Sequence, residues 1–328
     1  MKRAALILLS LVACRSAGPT VSDAADRAMS TSDAAAASED AAARDAAAAD
    51  ADADDLGGGQ DAAVRDAGED DAGPSTGHAA LFLGNSYTFG NDLPGLYREV
   101  VEAIRPPVDP LLVDAVTSGG WRLVQHASDA ERSGHRLATL LGPTGPDWTQ
   151  VILQEQSQIP GFRPGQSDYE ASLMAARALA AKIHARGAQV VMFMTWGRRE
   201  GDDQNPQRYP DFSTMQGHLT SGYRALADSA RAAGAEAIIA PVGEAFAEIW
   251  REEDANGDPL DPSGLFWRLY SGDGAHPSLH GSYLAACVLA STMLEIDART
   301  LTFAPTELDE RDAQRLRGAA YRAVTSWR

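Results

Sequence analysis

Aromatic side chains bring the largest areas to a hydrophobic core, and in this chain they are confined to one region. All 6 Trp, 8 Tyr and 8 Phe lie at or beyond Phe82. The first 81 residues therefore cannot build a core, and any globular fold must come from the remainder. From Arg15 to Gly77 the sequence is an Ala/Asp tract centred on DAAAADADADD, with 15 acids against Arg15, Arg27, Arg44 and Arg65, a net charge of −11. It has no apolar area to offset the entropy of ordering, and its frequent Asp opposes helix, so residues 15–77 read as a disordered linker. As a flexible coil these 63 residues would span roughly 45 Å, and self-repulsion would extend them.

Ahead of the linker, Lys2 and Arg3 precede the apolar run Ala4 to Val12. A charged start followed by an apolar segment too short to span a bilayer has the form of an export signal. The closing Leu11-Val12-Ala13-Cys14 resembles the signal of bacterial lipoproteins. That resemblance implies a signal peptide over residues 1–14 and lipid on Cys14. With Arg15 rather than Asp after the cysteine, it also implies an outer-membrane or cell-surface location. Membrane association is then expected only through lipidated Cys14.

Composition narrows the function of what remains. With 28 Lys+Arg against 46 Asp+Glu, the net charge of −18 argues against nucleic-acid binding, which needs surplus cations to neutralise phosphates. Cys14 and Cys287 alone make neither a disulfide framework nor a four-thiolate zinc site, and Cys287 sits in the apolar stretch Tyr283 to Leu294 as a core residue. The histidines share no ligand spacing, and no metal or other cofactor is expected. Asp254 to Asp258 begins like a calcium loop, but Pro259 stands where glycine is required and Leu265 where the bidentate acid belongs, so it reads as a surface turn.

Residues 78–328 are long enough for one large domain. Short apolar runs at Ala79 to Leu83, Leu111 to Val116, Gln150 to Leu153, Gln189 to Met194 and Ala237 to Ala240 have the pattern of strands buried on both faces. Helical patterns alternate with them at Leu93 to Ile104, Trp121 to Leu141, Asp168 to Arg186 and Phe212 to Ala233. Two more follow, one opened by Pro277 and one from about Glu307 to Trp327. This alternation predicts an α/β fold: a doubly wound, flavodoxin-like, five-stranded parallel sheet with ligands at the carboxyl ends of the strands.

The loops expected at that edge carry Gly84-Asn85-Ser86, Ser118-Gly119-Gly120-Trp121, Gln154-Glu155-Gln156-Ser157, Trp196-Gly197-Arg198-Arg199 and Asp273-Gly274-Ala275-His276. A serine hydroxyl becomes a useful nucleophile when an imidazole takes its proton and an acid holds that imidazole's tautomer. Ser86, His276 and Asp273 can supply those parts. The Ser86 N–H, a Gly120 or Gly119 N–H and the Gln156 amide can supply donors to an oxyanion. Tyr87, Trp121 and Trp196 can either stack on sugars in the cleft or pack in the core. Glu155 reads as a salt-bridged or solvated acid.

Taken together, these blocks resemble the SGNH (GDSL-like) hydrolase superfamily: a serine after the first strand, a glycine after the second, an amide after the third and Asp-x-x-His near the C-terminus. LFLGNSYTFGNDLP and the HPS after the turn resemble a subgroup of exported bacterial SGNH-like proteins. The resemblance covers most of residues 79–294. It implies a three-layer α/β/α fold, a Ser86-His276-Asp273 triad, and an oxyanion hole from Ser86, Gly120 and Gln156. The sequence departs from the family twice: Asn85 stands where many members carry Asp, and Gln156 where Asn is usual. The implied activity is hydrolysis of an ester, small or borne on a polysaccharide, with an O-acyl group on a carbohydrate as the first expectation and no protein partner. The rival from another class is a non-catalytic carbohydrate-binding surface protein that keeps the fold.

Overall fold

The computed structural model describes residues 77–327. The proposed signal peptide, Cys14 and nearly all of the linker lie outside the described residues. The five strands are β1 (His78–Gly84), β2 (Leu111–Thr117), β3 (Gln150–Leu153), β4 (Gln189–Phe193) and β5 (Ala237–Ala240), each within about one residue of its sequence pattern. All pairings are parallel, in the order β2-β1-β3-β4-β5.

Ten helices are described: α1 (Ser86–Phe89), α2 (Leu93–Glu102), α3 (Leu123–Glu131), α4 (Arg136–Leu140), α5 (Ser167–Ala185), α6 (Phe212–Arg231), α7 (Val242–Asp254), α8 (Leu265–Arg268), α9 (Leu279–Met293) and α10 (Glu310–Trp327). The period of two along the strands divides the core into two layers. Ala80 and Phe82 of β1, Ile152 of β3, and Val191 and Phe193 of β4 join the layer under α2, α7, α9 and α10. Leu81, Leu83, Val151, Leu153, Val190 and Met192 join the layer under α3, α4, α5 and much of α6. The sheet is thus covered on both faces, the three-layer arrangement expected. In this strand order, ligands gather at the switch point between the carboxyl ends of β1 and β3.

Three helical readings are corrected. Trp121 to Leu141 is not one helix, because α3 ends at Glu131 and α4 starts at Arg136. Between them Gly134 takes φ +79°, a conformation that favours glycine, and His135 caps α4 by accepting the Leu137 N–H. Helix α7 has no counterpart among the expected helices, although Val242, Ala245, Phe246 and Ile249 all face the core at helical spacing. Helix α9 starts at Leu279 rather than at Pro277, with Ser278 as its N-cap. Cys287 is fully buried within α9, and burial pushes its thiol up to about 12, as suits an inert core residue. At residues 254–258, Asp258 accepts the Leu260 N–H and Asn256 donates to the Glu252 carbonyl, so these groups serve local turns.

One close contact positions the loop after β3. Residues Ile159–Gly161 form a single 3-10 turn seated on α6, where a Cβ on Gly222 would lie 1.6 Å from the Pro160 carbonyl oxygen. Gly222→Ala must therefore push the turn off the helix. The expected cost is about 1–3 kcal/mol or more, read as a lower urea midpoint at unchanged m-value; an unchanged midpoint would contradict this packing.

Candidate active site

The turn after β1 is built around Gly84. A Cβ there would lie 2.2 Å from Thr88 Oγ1 and 2.6 Å from Gln154 Oε1, so only glycine lets the chain fold back this tightly. Gln154, fully buried at the end of β3, accepts the Asn85 N–H and the Thr88 hydroxyl, each at 2.9 Å, and its own amide donates to the Glu155 carbonyl. Asn85 caps α1 by accepting the Tyr87 N–H at 3.1 Å and donates its Nδ2–H to the Trp121 carbonyl at 2.8 Å. A carboxylate could not make that second bond, which gives Asn85 a role that the more usual Asp could fill only when protonated. Ser86 follows as the first residue of α1, half-buried, with its N–H among the unpaired donors of a helix's first turn.

His276 reaches Ser86 from the other end of the sequence. Its Nε2 lies 2.8 Å from Ser86 Oγ, and its Nδ1 lies 2.5 Å from Asp273 Oδ2. Burial pushes the Asp273 carboxyl up, but bonds from the His276 ring, the Ala275 and His276 N–H groups and the Ser271 hydroxyl outweigh it and hold the acid well below the usual carboxylate range. Because an ionised carboxylate only accepts, Nδ1 carries the imidazole proton. Nε2 is then a free base, and the Ser86 hydroxyl donates to it. This loop is pinned by a bridge between Tyr270 and Pro277, by Arg199 N–H donating to the Gly274 carbonyl, and by the Trp196 indole donating to the Ala275 carbonyl.

Gln156 and Gly120 line the same cavity of about 230 Å³ as Ser86 and His276. The Gln158 N–H donates to Gln156 Oε1 at 3.0 Å, which fixes the orientation of the amide. Its NH2 end makes no bond among the described residues and is left as the donor. Gly120 sits third in the turn from Ser118 to Trp121 with φ +68°, and it is Gly120 rather than Gly119 that lines the cavity. Every residue expected at the site within the described part of the chain is thus brought to one edge. Among the described residues, no group of three or more His, Cys, Asp or Glu side chains could hold a metal ion.

One open alternative is decided and one expectation changes. Tyr87 and Trp196 are buried and stack on each other at 4.8 Å, with Trp196 also stacked on Phe246 at 4.4 Å. They form the wall behind His276 and present no platform to a sugar, whereas Trp121 stays half-buried against His126. Glu155 is neither salt-bridged nor solvated. It is fully buried and accepts from Leu123 N–H, Gln156 N–H and the Ser172 hydroxyl, tying the start of α3 to the β3 loop; burial raises its pKa.

Three contributors have no role assigned by the motifs, although Gln154 and Arg198 stand in the loops expected at this edge. Arg198 lines the cavity and pairs at 2.6 Å with buried Asp202. Gln154 anchors the serine turn. His126, fully buried, sets its Nε2 3.0 Å from the Gly84 carbonyl; since a carbonyl only accepts, Nε2 carries the proton. The signal for His126 was its place on the inner face of α3, with Leu123 and Ala130.

Comparison with known proteins places the fold. No protein-family model and no curated protein matches the chain. Among solved structures, a DUF4886 family protein from Bacteroides uniformis superposes with TM-score 0.56 at 18% identity, over 76% of this chain and 95% of its own. A candidate SGNH hydrolase from Slackia heliotrinireducens gives 0.47 at 27% identity, over 66% and 99%. An acetylxylan esterase from Geobacillus stearothermophilus gives 0.43 at 14%, over 67% and 95%. The chain shares the fold of the Bacteroides uniformis protein, a five-stranded parallel sheet covered by helices on both faces.

Burial holds both His126 and His78 down to about 4, from 6.5. The unfolded chain therefore binds more protons between those values. The stabilisation is complete above about pH 6.5 and is lost as pH falls toward 4, on the order of 3 kcal/mol per histidine at most. Glu155, raised by burial, acts in the opposite sense, so the diagnostic is a difference. His126→Gln should unfold with a visibly shallower pH dependence than wild type between pH 6.5 and 4. Superimposable profiles would contradict a buried neutral His126.

Proposed function

We propose that the protein is a serine esterase whose nucleophile is Ser86. The observation that carries this reading is the continuous relay from Ser86 Oγ through His276 to Asp273, at 2.8 Å and 2.5 Å. Ser86 Oγ attacks the ester carbonyl carbon while its proton passes to His276 Nε2, and Asp273 stabilises the imidazolium so formed. The carbonyl oxygen, now an oxyanion, takes bonds from the N–H groups of Ser86 and Gly120 and from Gln156 Nε2. The bond to the alcohol breaks as His276 returns the proton to the leaving alkoxide. Water, deprotonated by the same imidazole, then releases the acid and regenerates Ser86.

Size and surroundings bear on the substrate. The cavity of about 230 Å³ falls below the range of about 300–1,000 Å³ usual for drug-sized ligands. That suits a short acyl group, with the alcohol part lying outside. The Asn85, Gln156 and Arg198 side chains in its lining suit a carbohydrate alcohol, so we assign the substrate as an O-acylated sugar. The N-terminal sequence supports export with a lipid anchor at Cys14, which would carry the domain on its acidic linker toward extracellular or envelope glycans. A non-catalytic binding protein would have no need of a free imidazole base beside a serine hydroxyl.

Steady-state hydrolysis of 4-nitrophenyl acetate tests the assignment. Ser86→Ala should lower kcat by about 10^4-fold or more. Gln156→Ala should lower kcat about 10^2- to 10^3-fold at little-changed KM, because its donor acts on charge that develops only in the transition state. Wild-type protein without activity, or Ser86→Ala with full activity, would overturn the reading.

A further inference from the structure

A second cavity, of about 490 Å³, opens between the loops that follow β3 and β4, on the same sheet edge as Ser86. Its walls include Phe162, Arg163, Gln166, Gln204, Gln207 and Arg208. Gln158 links it to the catalytic cavity. The Gln158 N–H orients the Gln156 amide, while the Gln158 side chain donates to Asp202 at 2.8 Å and to Gln204 Oε1 at 3.2 Å.

The hydrogen bonds already made around this cavity fix what it offers a ligand. The Gln166 oxygen is committed to the Arg163 N–H, and the Gln204 oxygen to Gln158, leaving the NH2 end of each amide. Arg208 uses Nε on the Gly161 carbonyl and its guanidinium also approaches the Tyr209 hydroxyl, while the Arg163 guanidinium makes no hydrogen bond or ion pair among the described residues. Neither arginine has a carboxylate within ion-pair distance among the described residues. The adjacent acid, Asp202, is buried and saturated: it accepts from Arg198, Gln158, Asn205 and the Gln204 N–H. Asp203 is exposed outside the lining, and Glu170 accepts the Gly165 N–H. The His218 ring, beside Tyr209, is held below its ordinary pKa by burial and then by the charges of Arg208 and Arg163, as expected of an uncompensated positive field.

Arg163, Arg208, Gln166 and Gln204 therefore offer donors, two of them forked cations, in a lining that also holds the Phe162 ring. Hydroxyl oxygens and a ring face describe a sugar; two guanidinium forks with no acid partner select a planar carboxylate. We propose that this cavity is a subsite for a carboxylate-bearing sugar, a uronate, of the glycan whose neighbouring residue presents its ester to Ser86. The glycan-binding part stands on this cavity alone; its connection to catalysis rests on the esterase reading.

The two are separable by experiment. Ser86→Ala protein is titrated calorimetrically with tetragalacturonate and with xylotetraose. The uronate should bind at least about tenfold more tightly, and its affinity should fall steeply between low and high salt. Arg163→Gln in the same background should weaken uronate binding at least about tenfold while moving xylotetraose little. Arg163 is exposed and its side chain makes no hydrogen bond or ion pair among the described residues, so loss of folding is not expected, and the unfolding midpoint verifies this. Equal affinity for the two sugars, salt-independent binding, or an unaffected Arg163→Gln would each overturn the subsite. Failure of wild-type protein to hydrolyse 4-nitrophenyl acetate would instead remove the esterase reading and leave the titration's result for the cavity intact.

Discussion

The carboxylate of Asp273 is the interaction on which the site depends. One of its oxygens gathers the Ser271 hydroxyl and the Ala275 and His276 N–H groups, and the other holds His276 Nδ1. These bonds keep the acid ionised, an ionised acid dictates which imidazole nitrogen carries the proton, and that in turn leaves Nε2 as a base toward Ser86. Asp273 and the His276 ring are nearly half exposed, so the constraint comes from bond geometry more than from burial. The bridge at Tyr270 and Pro277 and the anchors from Trp196 and Arg199 keep the loop from relaxing.

The serine half of the site is held differently, by buried polar groups under the sheet edge. Gln154, Asn85, His126 and Glu155 satisfy the backbone where β1 and β3 end, each inside a core that would penalise an unpaired donor. Their bonds connect the Ser86 turn to the start of α3 and to the Gln156 loop, so the nucleophile and the proposed oxyanion donors are fixed by one network. Tyr87, Trp196 and Phe246 stack behind His276 and close the cleft floor with apolar surface.

Much of this is legible in the sequence because the physical constraints are local. Strands buried on both faces read as short apolar runs, and all five appear where those runs lie. The four loop motifs point to Ser86, Gly120, Gln156, Asp273 and His276, which the fold brings to one edge. What escapes a sequence pattern depends on packing that spacing does not encode. Whether Tyr87 and Trp196 face a ligand or the core is decided by Phe246, on a helix that the strand-helix alternation does not reveal. Glu155 resembles a surface acid because its partners are two backbone N–H groups and a hydroxyl on α5, none of them charged. The break between α3 and α4 has a readable signal in Ser133-Gly134, but the apolar periodicity on either side outweighs it.

Activation of the Ser86 hydroxyl by its neighbour His276 is the claim on which the function stands. Incubation with a fluorophosphonate followed by peptide mass spectrometry tests it most directly, because the reagent modifies a serine only when a base has made it nucleophilic. The expected result is a single phosphonylated peptide carrying the adduct on Ser86, lost in His276→Ala. Unmodified protein, or an adduct on a different serine, would contradict it.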